Sequence, residues 1–314
     1  MSDCRVLITG ADGFVGRALQ HRTARADLAV RAAARSNSKG YCAVGEIDGR
    51  TRWSEALSGV SEVVHLAARV HVMRDRTSDP LAEFRRVNVA GTLNLARQAV
   101  DAGVRRLVYL SSIKVNGEAT EPGVPFTPDD RPEPLGAYAV SKYEAEIALL
   151  RLAETTSMEV VIVRPVLVYG PGVKGNFRSL MRVLSRGIPL PLAGLKNQRS
   201  FVSVGNLVEL LLCCLREPGA ANQVFLVSDG EDLSTTELME RLALALGRPA
   251  RSFRVPVTVL RAAGRLLGKA DVVQRMSGSL QVDISKSREM LGWTPAIRVD
   301  EALCETVKAY LDRC

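Results

Sequence analysis

Arg5-Val-Leu-Ile-Thr-Gly10-Ala-Asp-Gly13-Phe-Val-Gly16 is a short, mostly apolar run that passes through a glycine turn into a segment with helical spacing. Comparable runs recur at Ala29–Ala34, Val63–Ala67, Arg106–Ser111 and Glu159–Arg164, each followed by a helical pattern. Val63-Val-His-Leu-Ala67 and Val160-Val-Ile-Val163 are nearly continuously apolar, as strands buried on both faces must be. Strands that alternate with helices need crossover connections, so the expected fold class is α/β with a doubly wound parallel sheet.

Gly10, Gly13 and Gly16 stand where the first strand hands over to the first helix, with Asp12, Phe14 and Val15 completing the turn. Without a Cβ in the way, backbone amides at a helix N-terminus can approach the pyrophosphate of a dinucleotide. At the end of the second strand, an NAD-binding chain usually offers a carboxylate to the ribose hydroxyls. This sequence offers Arg35 and Ser36, with Lys39 nearby. An arginine and a hydroxyl suit a 2′-phosphate, which favours NADP(H) and leaves NAD(H) possible; the alternative is a solvated loop arginine.

Bulk properties exclude several classes. The 314 residues are 46% hydrophobic and 24% charged, ordinary for a packed protein and long enough for two lobes. A formal net charge of +8 invites nucleic acid, but the basic residues are scattered and aromatics are 5% of the chain, so no nucleic-acid partner is expected. Six cysteines lack CxxC spacing and accompanying histidines, so neither a metal site nor a disulfide framework is predicted. The opening residues show no targeting pattern, and the apolar stretch Leu207–Leu215 is interrupted by Glu209 and falls short of a membrane span. A cytoplasmic protein without a membrane partner is the expectation.

Ser111 and Ser112 fall at the end of a strand, on the rim where open α/β sheets bind ligands. Tyr138 and Lys142 lie four residues apart in a segment predicted helical over Tyr138–Thr156, so phenol and ammonium share one helix face. A phenol with an ordinary pKa of about 10 becomes a useful base only if nearby positive charge favours its phenolate, which Lys142 can supply. Ser112 would donate a hydrogen bond that orients the reacting oxygen. Ser112, Tyr138 and Lys142 are the catalytic candidates, and Ser111, Tyr138 and Lys142 also border the cofactor. His65, inside an apolar strand, reads as a hydrogen-bonded core residue.

Together with His65-Leu-Ala-Ala68, Asn88-Val-Ala-Gly-Thr92, Arg164-Pro-Val-Leu-Val-Tyr-Gly-Pro171, Arg199-Ser-Phe-Val-Ser-Val204 and Asp283–Trp293, these motifs make the chain resemble an extended short-chain dehydrogenase/reductase of the NAD-dependent epimerase/dehydratase type. The resemblance implies a Rossmann-type domain over residues 1–165, with a later return segment near 199–228. It also implies a smaller C-terminal α/β lobe, mainly 166–314, that binds a nucleotide sugar.

It adds Glu46, Ile47, Leu66, Ala67, Ala68, Asn88, Pro165 and Val168 to the cofactor site. Lys114, Asn176, Phe177, Arg199 and Arg275 would contact substrate with Ser112, the two arginines at the diphosphate. Members that dehydrate across C4–C6 carry Asp-Glu after the second serine; Ile113-Lys114 stands there, which argues against dehydration. Ser111–Gly117, Gly175–Phe177, Asn222–Glu237 and Gly278–Asp283 are similar to bacterial reductases of UDP-4-keto-6-deoxy-N-acetylhexosamines that serve surface polysaccharide. The expected activity is therefore 4-keto reduction of a UDP-sugar. UDP-glucose or UDP-N-acetylglucosamine 4-epimerisation with tightly bound NAD is the alternative, and a non-catalytic NADP-binding regulator is a remote one. By the same analogy, segments Leu81–Gly103 and Ala137–Thr156 would form a four-helix homodimer interface, with packing on the sheet as the competing reading.

Overall fold

The computed structural model describes residues 5–26, 28–36, 40–70, 79–268 and 270–312. Lys39, noted above, and two of the six cysteines, Cys4 and Cys314, lie outside the described residues. In chain order the strands are β1 (Arg5–Thr9), β2 (Ala29–Ala34), β3 (Cys42–Ala43), β4 (Glu62–His65), β5 (Arg106–Leu110), β6 (Glu159–Pro165), β7 (Leu167–Tyr169), β8 (Leu190–Ala193), β9 (Arg199–Ser203), β10 (Val224–Val227), β11 (Asp232–Leu233) and β12 (Ser252–Arg254). The α-helices are α1 (Phe14–Ala24), α2 (Ser54–Leu57), α3 (Pro80–Phe84), α4 (Thr92–Asp101), α5 (Gly136–Glu154), α6 (Gly175–Ser185), α7 (Val204–Arg216), α8 (Thr235–Ala245), α9 (Val257–Leu266), α10 (Ala270–Ser277), α11 (Ser285–Leu291) and α12 (Val299–Leu311).

Seven strands form one parallel sheet in the order β10-β6-β5-β4-β1-β2-β3. The chain reverses direction across the sheet between β1 and β4, the topological switch point at whose C-terminal rim ligands bind. Alternation along β1 sends Val6 and Ile8 into one core and Leu7 into the other. The first core packs under α1 and α7, the second under α4 and α5 through Leu95, Ala96, Ala145 and Leu149. A third core, with Tyr169, Phe177, Met181, Leu238, Leu242 and Leu303, gathers the C-terminal elements. There β7, β9 and β11 form a small sheet and β8 pairs with β12.

β4 ends at His65 and β5 at Leu110, earlier than their apolar runs suggest. Leu66–Ala68 and Ser111–Ser112 therefore leave the sheet and build its rim. The short strands β3 and β10 close the two sheet edges and carry too few residues for a periodicity signal. The segment from Pro80 to Asp101 is a single helical path in which a wide π-type stretch, Arg85–Gly91, joins α3 to α4. Such stretches are uncommon and concentrate near functional sites; this one carries Asn88. α5 begins at Gly136, two residues before the predicted start, and ends at Glu154. Both helical segments bury apolar side chains against the sheet.

Candidate active site

The glycine turn forms as its residue types require. Gly10 adopts a positive φ of +63°, and the space a Cβ would need there is closed by the backbone of Ala67. Gly13 caps α1 with extended backbone and no side-chain acceptor, so the first-turn amides of the helix carry no side-chain cap. Gly16 is buried against Ala11, where a Cβ would fall 2.8 Å from the Ala11 carbonyl oxygen. Asp12 is exposed, and Phe14 and Val15 are half-buried in the first turn. This cradle fits a dinucleotide: a close backbone approach, undercommitted helix amides, and a buried Ser111 hydroxyl on the same rim that finds no partner among the described residues.

Arg35 and Ser36 stand exposed at the end of β2, accessible to a ligand beyond the turn. Five other residues expected around the cofactor have structural duties. The Asn88 amide donates to the Arg69 carbonyl (3.1 Å) and to Ser141 Oγ (3.0 Å), and accepts from the Arg69 amide (2.8 Å), so it clamps the loop after β4 to α5. Ile47 packs in the second core against Gly91, and exposed Glu46 pairs with Arg86 at 3.5 Å. The backbone amides of Leu66 and Ala67 are taken by the Thr9 hydroxyl. Ala68 follows them on the rim, Pro165 is buried at the end of β6, and Val168 is half-buried in β7.

The fold brings Ser112, Tyr138 and Lys142 together. Ser112 caps a short 3₁₀ turn, Ile113–Val115, its hydroxyl accepting from the Lys114 amide and hydrogen-bonding the Tyr138 phenol. The Tyr138 ring meets Phe84 edge-on at 6.0 Å. Burial pushes the Tyr138 phenol up to about 12, against the lowering effect of Ser112. Lys142 is only 2% exposed, and burial draws it down to about 7 while Glu146 opposes the shift.

The Tyr138 phenol is the neighbour that the sequence spacing singles out for Lys142. The Lys142 Nζ instead donates to the Leu110 carbonyl at 2.7 Å and reaches the Tyr109 phenol oxygen at 2.9 Å. Partner competition is the physical reason: a buried ammonium takes the fixed acceptors within reach.

Beside Tyr138 opens a cavity of about 520 Å³ that Phe84, Lys114, Glu118, Arg199 and Arg275 help to line. Lys114 pairs with Glu118 at 2.9 Å across one wall. Arg199 is steered into place by the carbonyls of Arg275 (2.9 Å) and Gly278 (3.0 Å). Burial, and then the charge of Arg275, lowers the Arg199 guanidinium below its ordinary value, so an anion placed between the two arginines would be stabilised by both.

The remaining substrate candidates separate from this group. Phe177 is a core residue, stacked on Tyr169 at 5.4 Å, because α6 turns its apolar face inward; Asn176 is exposed in the first turn of that helix. Tyr109 and Glu118 were not singled out from sequence. Tyr109 carried one signal, a polar group inside an apolar strand two residues before the paired serines.

A seven-stranded parallel sheet with a glycine turn and a Ser-Tyr-Lys group on its rim defines a Rossmann-type fold of the extended short-chain dehydrogenase/reductase class. Residues 6–228 match the NAD dependent epimerase/dehydratase family, and the chain belongs to that family. It is 49% identical over 312 residues to UDP-glucose 4-epimerase of Vibrio cholerae, covering 98% of this chain and 95% of the relative. It is also 28% identical to GDP-6-deoxy-D-mannose reductase of Pseudomonas aeruginosa, over 95% and 94% of the two chains. Among solved structures it resembles MoeE5 in complex with UDP-glucuronic acid and NAD, with a TM-score of 0.77, 26% identity, and coverage of 99% and 100%. The fold is likewise that of UDP-glucose 4-epimerase from Thermotoga maritima, with a TM-score of 0.78, 20% identity, and coverage of 98% and 99%. Among the described residues no helix is long and apolar enough to cross a membrane.

Proposed function

We propose that this chain is a nicotinamide-dependent enzyme that acts at C4 of a UDP-sugar, and that 4-epimerisation is its reaction. The observation that carries this reading is the 49% identity to a UDP-glucose 4-epimerase over nearly the whole of both chains, joined to an arginine-lined cavity beside Tyr138. This order reverses the expectation from sequence, which put 4-keto reduction first.

Arg199 and Arg275 would hold the diphosphate, and Lys114 with Glu118 would face the sugar. When bound, the nicotinamide supplies the hydride acceptor and donor. Tyr138 takes the proton of the C4 hydroxyl and later returns it, Ser112 orients that oxygen, and Lys142 stabilises the phenolate. Gly10, Gly13 and Gly16 with the α1 amides would hold the pyrophosphate.

Reduction of a 4-keto sugar with NADPH is the second reading, favoured by exposed Arg35 and Ser36 at the end of β2 and by the reductase relative. The homodimer, built on the outer faces of the α3–α4 path and α5, belongs to this proposal, as does a cytoplasmic location. The test is to release and identify any nucleotide that copurifies, then to assay UDP-glucose and UDP-N-acetylglucosamine for C4 inversion and a UDP-4-keto-6-deoxyhexosamine for NADPH or NADH oxidation. Retained NAD with inversion supports the first reading. Stoichiometric NADPH oxidation without inversion replaces it with the second.

A further inference from the structure

Thr9, His65 and Tyr109 are register partners across β1, β4 and β5, so three polar side chains form one row in an otherwise apolar sheet. The row lies on the face covered by α4 and α5, and the His65 ring stacks on Tyr109 at 5.8 Å. Its hydrogen bonds have a direction. The Thr9 hydroxyl accepts the amides of Leu66 (3.2 Å) and Ala67 (3.3 Å), which leaves its proton for His65 Nδ1 at 2.7 Å. His65 then carries its proton on Nε2 and donates to Thr92 Oγ1 at 3.0 Å. The Thr92 hydroxyl in turn hydrogen-bonds the Tyr109 phenol. Beyond it stands Lys142, with Nζ 2.9 Å from the phenol oxygen and 4.2 Å from the ring centroid.

Thr9, His65, Thr92, Tyr109 and Lys142 are all at most 2% exposed. A phenylalanine at 109 would fill the same space and keep the cation–π contact, at less cost in desolvation. What only the hydroxyl provides is an acceptor for the lysine, backed by Thr92. The row also begins at the amides against which Gly10 packs, so the glycine turn and the lysine share one chain of contacts.

We propose that Tyr109 is a positioning residue: its phenol oxygen, braced by Thr92 and His65, holds the Lys142 ammonium beside Tyr138 and so governs when that pair can exchange a proton. Among the described residues, the charged and titratable groups around Lys142 are Tyr109 on β5, His65 on β4, and Tyr138 and Glu146 on α5. Glu146 favours the ammonium but is itself held by Arg164, and His65 is kept neutral by burial. Tyr109 and the Leu110 carbonyl are therefore the acceptors that keep the buried ammonium hydrogen-bonded. Without the phenol oxygen the lysine loses its proton more easily, and the Tyr138 phenolate loses the positive charge that favours it.

The test uses Tyr109→Phe and Thr92→Val in the full chain with added oxidised cofactor. Phenolate formation is followed by ultraviolet difference titration, with Tyr138→Phe as the blank that isolates Tyr138. The Tyr109→Phe variant should move the Tyr138 titration upward by about one pH unit. The rising limb of kcat should move with it, so turnover at neutral pH falls about tenfold and recovers in alkali, with KM for the sugar little changed. Thr92→Val should shift both in the same direction by less, and it decides alone if Tyr109→Phe does not fold. An unmoved titration overturns the proposal, even where kcat falls, because loss of packing lowers turnover equally at every pH. The turnover arm rests on the proposed C4 chemistry and the titration arm does not. A shifted titration in a protein inactive on every UDP-sugar tried therefore upholds Tyr109 and rejects that chemistry.

Discussion

The backbone nitrogen of Ala67 lies 2.8 Å from the point where a Cβ on Gly10 would stand, so the turns that follow β1 and β4 approach each other over a gap only glycine allows. Gly10 also holds a left-handed backbone. Gly10→Ala should therefore cost about 1–2 kcal/mol from the dihedral alone, and more as the Leu66–Ala67 loop is displaced. Thermal unfolding should show the loss. Cofactor titration should show at least a tenfold weaker complex, whereas wild-type affinity with normal stability would mean that the turn does not hold the pyrophosphate.

His65 makes acid stability testable. Burial, helped by the Lys142 charge, lowers His65 from 6.5 to about 3, so in the fold it remains neutral where the unfolded chain takes up a proton. Between those values the unfolded state binds more protons, and stability must fall as pH falls from about 6.5 to about 3. The contribution of this one group reaches at most about 1.4 kcal/mol per pH unit. Denaturant midpoints of the wild type and His65→Gln across that range should give a shallower slope for the variant; parallel slopes would contradict the assignment.

The pair Arg164–Glu146 joins β6 to the catalytic helix through contacts of 3.1, 3.2 and 2.6 Å, and Arg164 also donates to Asn116 Oδ1 at 3.0 Å. Both side chains are buried, at 5% and 2% exposure. Glu146→Ala should destabilise by about 3–5 kcal/mol, because it leaves a buried guanidinium without its counter-charge. The double variant Glu146→Leu with Arg164→Met should recover much of that loss in urea unfolding. A double variant no better than the single would show that the contacts to Asn116 outweigh the charge pair.

Arg199 is pre-oriented by two backbone carbonyls in the cavity wall. On the proposed reading, Arg199→Leu removes a charge-assisted contact to a diphosphate. It should raise KM for a UDP-sugar at least tenfold, with a smaller change in kcat and unaltered cofactor affinity. Steady-state kinetics with direct cofactor titration separate these effects. A lowered kcat at constant KM would place the diphosphate elsewhere.

The parallel sheet, the glycine turn and the Ser112, Tyr138 and Lys142 group are legible in the sequence because each rests on local pattern. Apolar runs mark doubly buried strands, glycine marks a backbone that admits no Cβ, and a spacing of four residues marks one helix face. Tertiary structure decided what depends on partners distant in the chain. Phe177 became a core residue because α6 turned its apolar face inward, Ile47 because the loop after β3 packs against Gly91, and Asn88 became a clamp because Arg69 and Ser141 lie within its reach. Lys142 found Tyr109 and the Leu110 carbonyl as its acceptors, an outcome set by the register of β1, β4 and β5. Sequence spacing names a side chain's neighbours along one element. Which acceptor a buried charge takes is settled only when separate elements pack and close off the water that would otherwise solvate it.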